Sequence, residues 1–266
     1  MKHASLAAPL GVALAGIVGL VVGCTAITSD ASRVVAIEFD TLAYPSVVAG
    51  DTLRDSLGRA APLHAVGLNS AGAVVNRPPF RYIALDSGVS IDTSGYITAQ
   101  APTGSVRIVA SVNGFQSVAK TVLISRPPGL VIAIGALRDT VLYSLPDNPA
   151  VNVSPPLTVK IVTRDTAGGI GFTGGWLVSY QAFFRGVALS QKDTTVATLW
   201  DDGTNPTALD TTDATGGSAA RRLRIRPVGL PTAAESLLVI ATVKYKGVAI
   251  QGSPVRWVIV TRPKVP

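Results

Sequence analysis

The chain offers few side chains for chemistry. Its 266 residues hold one thiol, Cys24, and two imidazoles, His3 and His64. One thiol makes no intrachain disulfide and no thiolate metal site. A nucleophilic triad needs a base, usually His. Past Cys24 the only imidazole is His64, placed in a predicted strand, Leu63–Leu68, on the face of Val66 and Leu68. A lone strand histidine reads as a packing or surface residue. There is no His-x-x-x-His pair, so zinc is not expected. No Gly-rich phosphate loop follows a strand and opens a helix. The expectation is a non-enzymatic protein with no cofactor.

The unusual constellation is Arg221-Arg222-Leu223-Arg224-Ile225-Arg226. Side chains alternate along a strand, so Arg222, Arg224 and Arg226 share one face at spacings of about 7 Å, with Leu223 and Ile225 on the core face. Three aligned guanidiniums are a candidate anion site for phosphate or carboxylate groups of a lipid or polysaccharide. The competing reading is a solvated outer face that guards an edge strand against aggregation. Nucleic acid is not expected, because no exposed aromatics interleave with these arginines. Trp176, Trp200 and Trp257 fall in strand blocks and are expected in the core. The carboxylates Asp165, Asp201, Asp202, Asp210 and Asp213 fall in predicted turns. Calcium takes six to eight oxygens from such loops, but no Asp-x-Asp-x-Asp spacing occurs, and Asp caps turns in any case. A glycosidase would need two of them across a cleft, and nothing in the spacing places them so.

The elements that must carry these residues are short strands. Charged residues make up 15% of the chain and hydrophobic ones 47%, too apolar for disorder. Gly and Pro abound, and Val, Ile and Thr recur in short blocks. The net charge of +7 suits an anionic surface but is also common in soluble proteins.

The N-terminus reads differently. Met1-Lys2-His3 is a basic start, Leu6 to Val22 is apolar, and Val21-Val22-Gly23-Cys24 ends the run with the sole cysteine. This is the signal-peptide pattern. The tail resembles the lipobox of bacterial lipoproteins. That resemblance implies removal of residues 1–23, a diacylglyceryl group on the Cys24 thiol and acylation of its new amine. An uncleaved signal anchor is the alternative, since the stretch is long enough to span a bilayer, although Gly11, Gly16, Gly19 and Gly23 weaken it as a helix. Plain secretion is the third reading. Two or three acyl chains hold a protein stably, at about 0.8 kcal/mol per buried CH₂. Thr25 stands where, under the enterobacterial sorting rule, Asp would mean inner-membrane retention, so the resemblance implies the outer membrane of a bacterial cell envelope. Residues 24–33 read as lipidated cysteine and tether.

From 34 to 127 apolar blocks alternate with turn signals. Val34–Phe39, Leu63–Leu68, Phe80–Leu85, Val89–Asp92, Tyr96–Ala99, Val106–Val112 and Phe115–Ile124 are the predicted strands. Asn113-Gly114 is a strong hairpin signal. About seven strands at this spacing predict a β-sandwich. Val48-Ala49-Gly50-Asp51-Thr52-Leu53, Asn69-Ser70-Ala71-Gly72-Ala73-Val74-Val75, Val89 to Ala99 and Gly104 to Gly114 resemble, in order and spacing, group 2 bacterial Ig-like domains. The usual Trp of the middle strand is absent, with Phe80 or Tyr82 near its place.

Arg126-Pro127-Pro128-Gly129 marks a boundary, because prolines stop a strand ladder. Residues 128–266 form the second predicted module. Its strands are Leu130–Ile134, Leu157–Thr163, Trp176–Phe184, Thr195–Trp200, Ala219–Ile225, Leu237–Tyr245 and Val255–Val260. Leu157 to Gly169, Thr211 to Ala219 and Val239 to Val243 resemble the group 1 Ig-like repeats of invasin- and intimin-type proteins, with a longer insertion from Arg185 through Asp210. The expected whole is all-β: two tandem Ig-like β-sandwiches behind a lipoprotein signal peptide. Its expected roles are adhesion or other cell-surface recognition, structural spacing, anionic polysaccharide or lipid binding, or docking of a periplasmic partner. The expected partners are the membrane, through the anchor, and a protein or glycan.

Overall fold

The computed structural model describes residues 33–39, 46–164, 170–193, 195–230 and 233–264. Cys24, the segment before it and Asp165 lie outside the described residues. The first half contains β1 (Ala36–Phe39), β2 (Ser46–Val48), β3 (Ala65–Leu68), β4 (Arg81–Ala84), β5 (Val89–Ile91), β6 (Ile97–Ala99), β7 (Gly104–Val112), β8 (Phe115–Gln116) and β9 (Lys120–Ser125). One sheet runs β2-β9-β7-β4, with β8 folded back on β7, and the pairs β1-β3 and β5-β6 pack against it. Alternation builds this core. Val106, Ile108, Ala110 and Val112 of β7 are all buried. The hairpin at Asn113-Gly114 has φ of +50° and +84°, so both turn residues are left-handed, as a primed two-residue turn requires.

The second half contains β10 (Leu130–Ile134), β11 (Arg138–Tyr143), β12 (Leu157–Arg164), β13 (Ile170–Phe172), β14 (Leu177–Phe184), β15 (Val187–Ala188), β16 (Ala197–Trp200), β17 (Leu209–Thr211), β18 (Ser218–Ile225), β19 (Glu235–Thr242), β20 (Lys244–Tyr245), β21 (Val248–Ala249) and β22 (Val255–Pro263). Its sheets run β10-β12-β18-β16 and β11-β22-β19-β14-β15. The first has the order of the four-stranded immunoglobulin sheet, and β22-β19-β14 has that of the three-stranded one. The chain is thus all-β and sandwich-built. Its entry strand is split between sheets twice. β1 pairs antiparallel with β3 while β2 runs parallel to β9, and β10 pairs antiparallel with β12 while β11 runs parallel to β22. Among the described residues no strand pairing crosses Arg126–Gly129, yet the buried apolar side chains of both halves join in one cluster.

β2, β11, β13, β15, β17 and β21 lie outside the predicted blocks, and β2 and β11 show why. All three residues of β2 are buried, so no alternation betrays it. In β11, Arg138, Thr140 and Leu142 face out while Val141 and Tyr143 face in, and the strand exists through its parallel pairing with β22, more than a hundred residues away. The predicted block Phe115–Ile124 divides into β8 and β9, because Ser117 turns inward and its Oγ accepts the Ala110 N–H at 3.0 Å.

Candidate functional site

β18 carries Arg222 and Arg224 as alternation requires, with Leu223 and Ile225 fully buried and Arg226 just past its end in extended conformation. Their surroundings differ from a free stripe. Arg224 is 1% exposed. Its Nη2 donates to both carboxylate oxygens of Asp147 at 2.7 Å, and its Nη1 donates to the Asn152 carbonyl at 3.2 Å. The guanidinium lies 5.5 Å from the Trp200 ring centre. Asn152, itself buried, donates from its amide to Asp147 at 2.7 Å and receives the Ser144 N–H at 2.7 Å. Half-buried Arg222 meets Asp202 at 3.3 Å. Burial raises the Asp147 carboxyl, but hydrogen bonds from Arg224 and Asn152 and the charges of Arg224 and Arg226 outweigh it and hold the group below its usual range. Asp193 is likewise raised by burial and lowered further by the N–H and hydroxyl of Thr195, the Val196 N–H and the Arg226 charge.

Of the expected anion site at Arg222, Arg224 and Arg226, Arg224 is buried and already paired, and Arg222 has an exposed carboxylate beside it. The loop between β11 and β12 folds over this face and brings Asp147, while Asp193 and Asp202 come from the turns on either side of β16. Arg224 and Arg222 serve as internal counter-ions to the Asp147 loop and the Asp202 turn. Arg221, on the core-facing phase at the strand's start, bridges to Asp210 of the opposite sheet at 2.9 Å. Trp176 and Trp257 are buried and Trp200 is half-buried. His64 is exposed and stands just before β3.

Asp210, expected in a turn, is the middle residue of β17, and it and the turn carboxylates serve backbone geometry. Asp201 accepts the Asn205 N–H at 2.8 Å, Asp210 accepts that of Ala220 at 2.7 Å, and Asp213 accepts those of Thr215 and Ser218 at 3.0 and 2.9 Å. Among the described residues no three His, Cys, Asp or Glu side chains gather as a metal site.

A further polar site, which sequence reading missed, lies between the two sandwiches. Arg54 grips Asp51 through Nε and Nη2 at 2.9 and 2.7 Å and also donates to the Gly58 carbonyl at 2.9 Å. The Tyr245 hydroxyl, 194 residues further along the chain, donates to the same carboxylate at 2.9 Å, and Lys246 Nζ stands 3.7 Å away. Tyr245 packs edge-on against Trp176, ring centres 5.8 Å apart, and Trp176 Nε1 donates to the Lys244 carbonyl at 3.2 Å. The backbones meet here too. Gly58 has φ of +81°, and a Cβ on it would lie 2.1 Å from the Gly247 nitrogen. The asparagine and glycine turns of the sequence say nothing about this meeting.

Burial raises the Asp51 carboxyl, but Arg54, the Thr52 N–H and the Tyr245 hydroxyl outweigh it and bring the pKa to about 2. The Tyr245 phenol is pushed up to about 12, by burial first and then by its bond to Asp51. A depressed carboxylate stabilises the fold above its unfolded value, near 3.9, and loses that contribution as pH falls through about 2. A raised phenol stabilises below about 10 and loses its contribution as pH rises through about 12. Asp51→Asn is expected to cost on the order of 2 kcal/mol at neutral pH, a penalty that fades as pH falls through about 2. Urea unfolding at several pH values checks this, and a penalty that persists at low pH counts against the ionic origin.

No protein-family model matches the chain, and no curated protein matches it. Solved structures show partial likeness. The Yersinia pseudotuberculosis adhesin InvE is 13% identical with a TM-score of 0.33, covering 84% of this chain and 58% of that one. Domains 1–6 of the surface layer protein SbsC are 12% identical with a TM-score of 0.30, covering 89% and 29%. The Escherichia coli adhesin FdeC is 13% identical with a TM-score of 0.27, covering 84% and 63%. The chain thus spans less than two thirds of each of these structures.

Proposed function

We propose that the chain is a non-enzymatic cell-envelope lipoprotein, anchored through acylated Cys24 to the outer membrane. Its paired Ig-like sandwiches act as a stiff presenting and spacing element for surface recognition. The observation that carries this reading is the junction at Asp51. One carboxylate takes hydrogen bonds from Arg54 of the first sandwich and Tyr245 of the second, so the second sandwich is held in a set attitude on the first. Residues 34–127 and 128–266 are the two modules, of group 2 and group 1 bacterial Ig-like type respectively.

Stiffness is tested with spin labels. Replacing Cys24 by Ser leaves no native thiol, so Ser70→Cys and Ala188→Cys, both exposed, can be labelled cleanly. A narrow distance distribution is expected, and broadening on Gly58→Ala, whose new Cβ meets the Gly247 backbone. A broad distribution in the parent refutes the stiff spacer. Anchoring is tested by feeding cells an alkyne fatty acid: the wild-type protein should take up label and Cys24→Ser should not. Protease shaving of intact cells then separates surface display, which favours adhesion, from a periplasmic docking role.

A further inference from the structure

The two outer faces of the second sandwich treat their arginines in opposite ways. On the β18 side Arg222 and Arg224 are each met by a loop carboxylate, Asp202 and Asp147. On the outer face of β11-β22-β19-β14-β15, Arg138, Arg256 and Arg262 are exposed, and among the described residues none of them has a carboxylate partner. The acids of these strands stand on the other phase. Asp139 alternates with core-facing Val141, Glu235 with Leu237, and Asp210 of neighbouring β17 sits opposite buried Val178. The face therefore carries three cations and no described anion.

Beside Thr140, Ser236 and Gln181, this face carries an apolar row. The register aligns Arg138, Val258, Leu238 and Phe183 in one row across four strands. Leu142, opposite Arg262, is 54% exposed. Arg138 and Arg256 stand on adjacent strands at one end, and Arg262 lies six residues along β22, about 20 Å away.

We propose that this face docks on an anionic lipid surface, the inference resting on the reading of the chain as membrane-anchored. Unpaired cations at both ends match lipid phosphates, and the apolar row with Leu142 matches the boundary between headgroups and acyl chains. A hydrated polysaccharide offers the cations a counterpart but gives the apolar row none. Alone, three arginines bind weakly. On a chain already tethered, a basic patch is the second signal that makes membrane contact stable.

The test uses full-length protein extracted from bacterial membranes, carrying Leu142→Cys labelled with bimane. It is reconstituted into vesicles of phosphatidylcholine with phosphatidylglycerol, or of phosphatidylcholine alone. Vesicle flotation and the mass of the N-terminal peptide report the anchor, while quenching of bimane by spin-labelled lipid reports docking, so the two readings fail separately. Quenching is expected in the anionic vesicles only. It should be suppressed by salt, and the docking equilibrium should fall about 100-fold with Arg138→Ser, Arg256→Ser and Arg262→Ser together. The corresponding Arg→Lys triple should restore it, which excludes a folding defect. Equal quenching in neutral vesicles, an unchanged serine triple, or floating protein without quenching overturns the proposal. A bimane response to dextran sulfate but not to lipid overturns it in favour of a polysaccharide.

Discussion

Replacing Asp147 by Ala is expected to destabilise the second sandwich by about 3 kcal/mol, and replacing its partner Arg224 by Met is expected to cost clearly less. The asymmetry follows from where the two charges sit. The Arg224 side chain is 2% exposed and that of Asp147 is 35% exposed. Without Asp147, a guanidinium remains under the loop with the Asn152 and Ile225 carbonyls and the Trp200 face for company, and no carboxylate bonded to it. Without Arg224, Asp147 can turn to water and keeps the Asn152 amide, while Met fills much of the space of the arginine stem. Urea midpoints at an unchanged m-value separate the two. If the methionine variant is the worse, burial of an unpaired charge is not what the pair prevents. The pH dependence has a definite sign. The Asp147 carboxyl is held below its usual range, so the difference between wild type and Asp147→Asn should be full above pH 4 and shrink as pH falls.

The second large effect is expected at Trp257. It is 1% exposed, stacks on Tyr180 with ring centres 6.4 Å apart and planes 21° from parallel, and lies opposite Val239. Tyr180 cannot follow it if it is removed, because its hydroxyl donates to the Ala219 carbonyl of the facing sheet at 2.9 Å. Burial also pushes the Tyr180 phenol far up, so it stays a neutral donor. Trp257→Ala therefore leaves a cavity that its best-placed neighbour cannot fill, and about 4 kcal/mol of stability should be lost. Trp257→Phe, which retains a ring, should lose less than half of that. Chemical denaturation measures both, and a loss near 1 kcal/mol for the alanine variant would mean that the sheets close over the gap.

Much of this architecture is legible before any coordinates. Val106, Ile108, Ala110 and Val112 alternate in the sequence and are buried in the fold. Asn113-Gly114 demands a primed turn and makes one. Leu223 and Ile225 reach the core as their spacing requires. These features are local: each depends on the chirality of a residue or two and on the two-residue period of a strand. β2 and β11 were not legible, because parallel pairing to a distant strand creates them.

The arginines mark the boundary between the two kinds of knowledge. Sequence by itself determines that Arg222 and Arg224 share one face of β18, since the pleat permits nothing else. Whether that face meets water or protein depends on a loop that arrives from Asp147, 77 residues earlier, and on turns bearing Asp193 and Asp202. Only the tertiary structure decides that Arg224 is spent inside the molecule on Asp147. It likewise decides that Arg138 and Arg256, from strands that pair across more than a hundred residues, stand side by side facing outward. The same holds for Asp51, whose place in a turn is local but whose bond to Tyr245 spans 194 residues. Strand period is a property of neighbouring bonds. The pairing of charges across the fold depends on which distant surfaces the packing of the two sandwiches brings within a few ångströms.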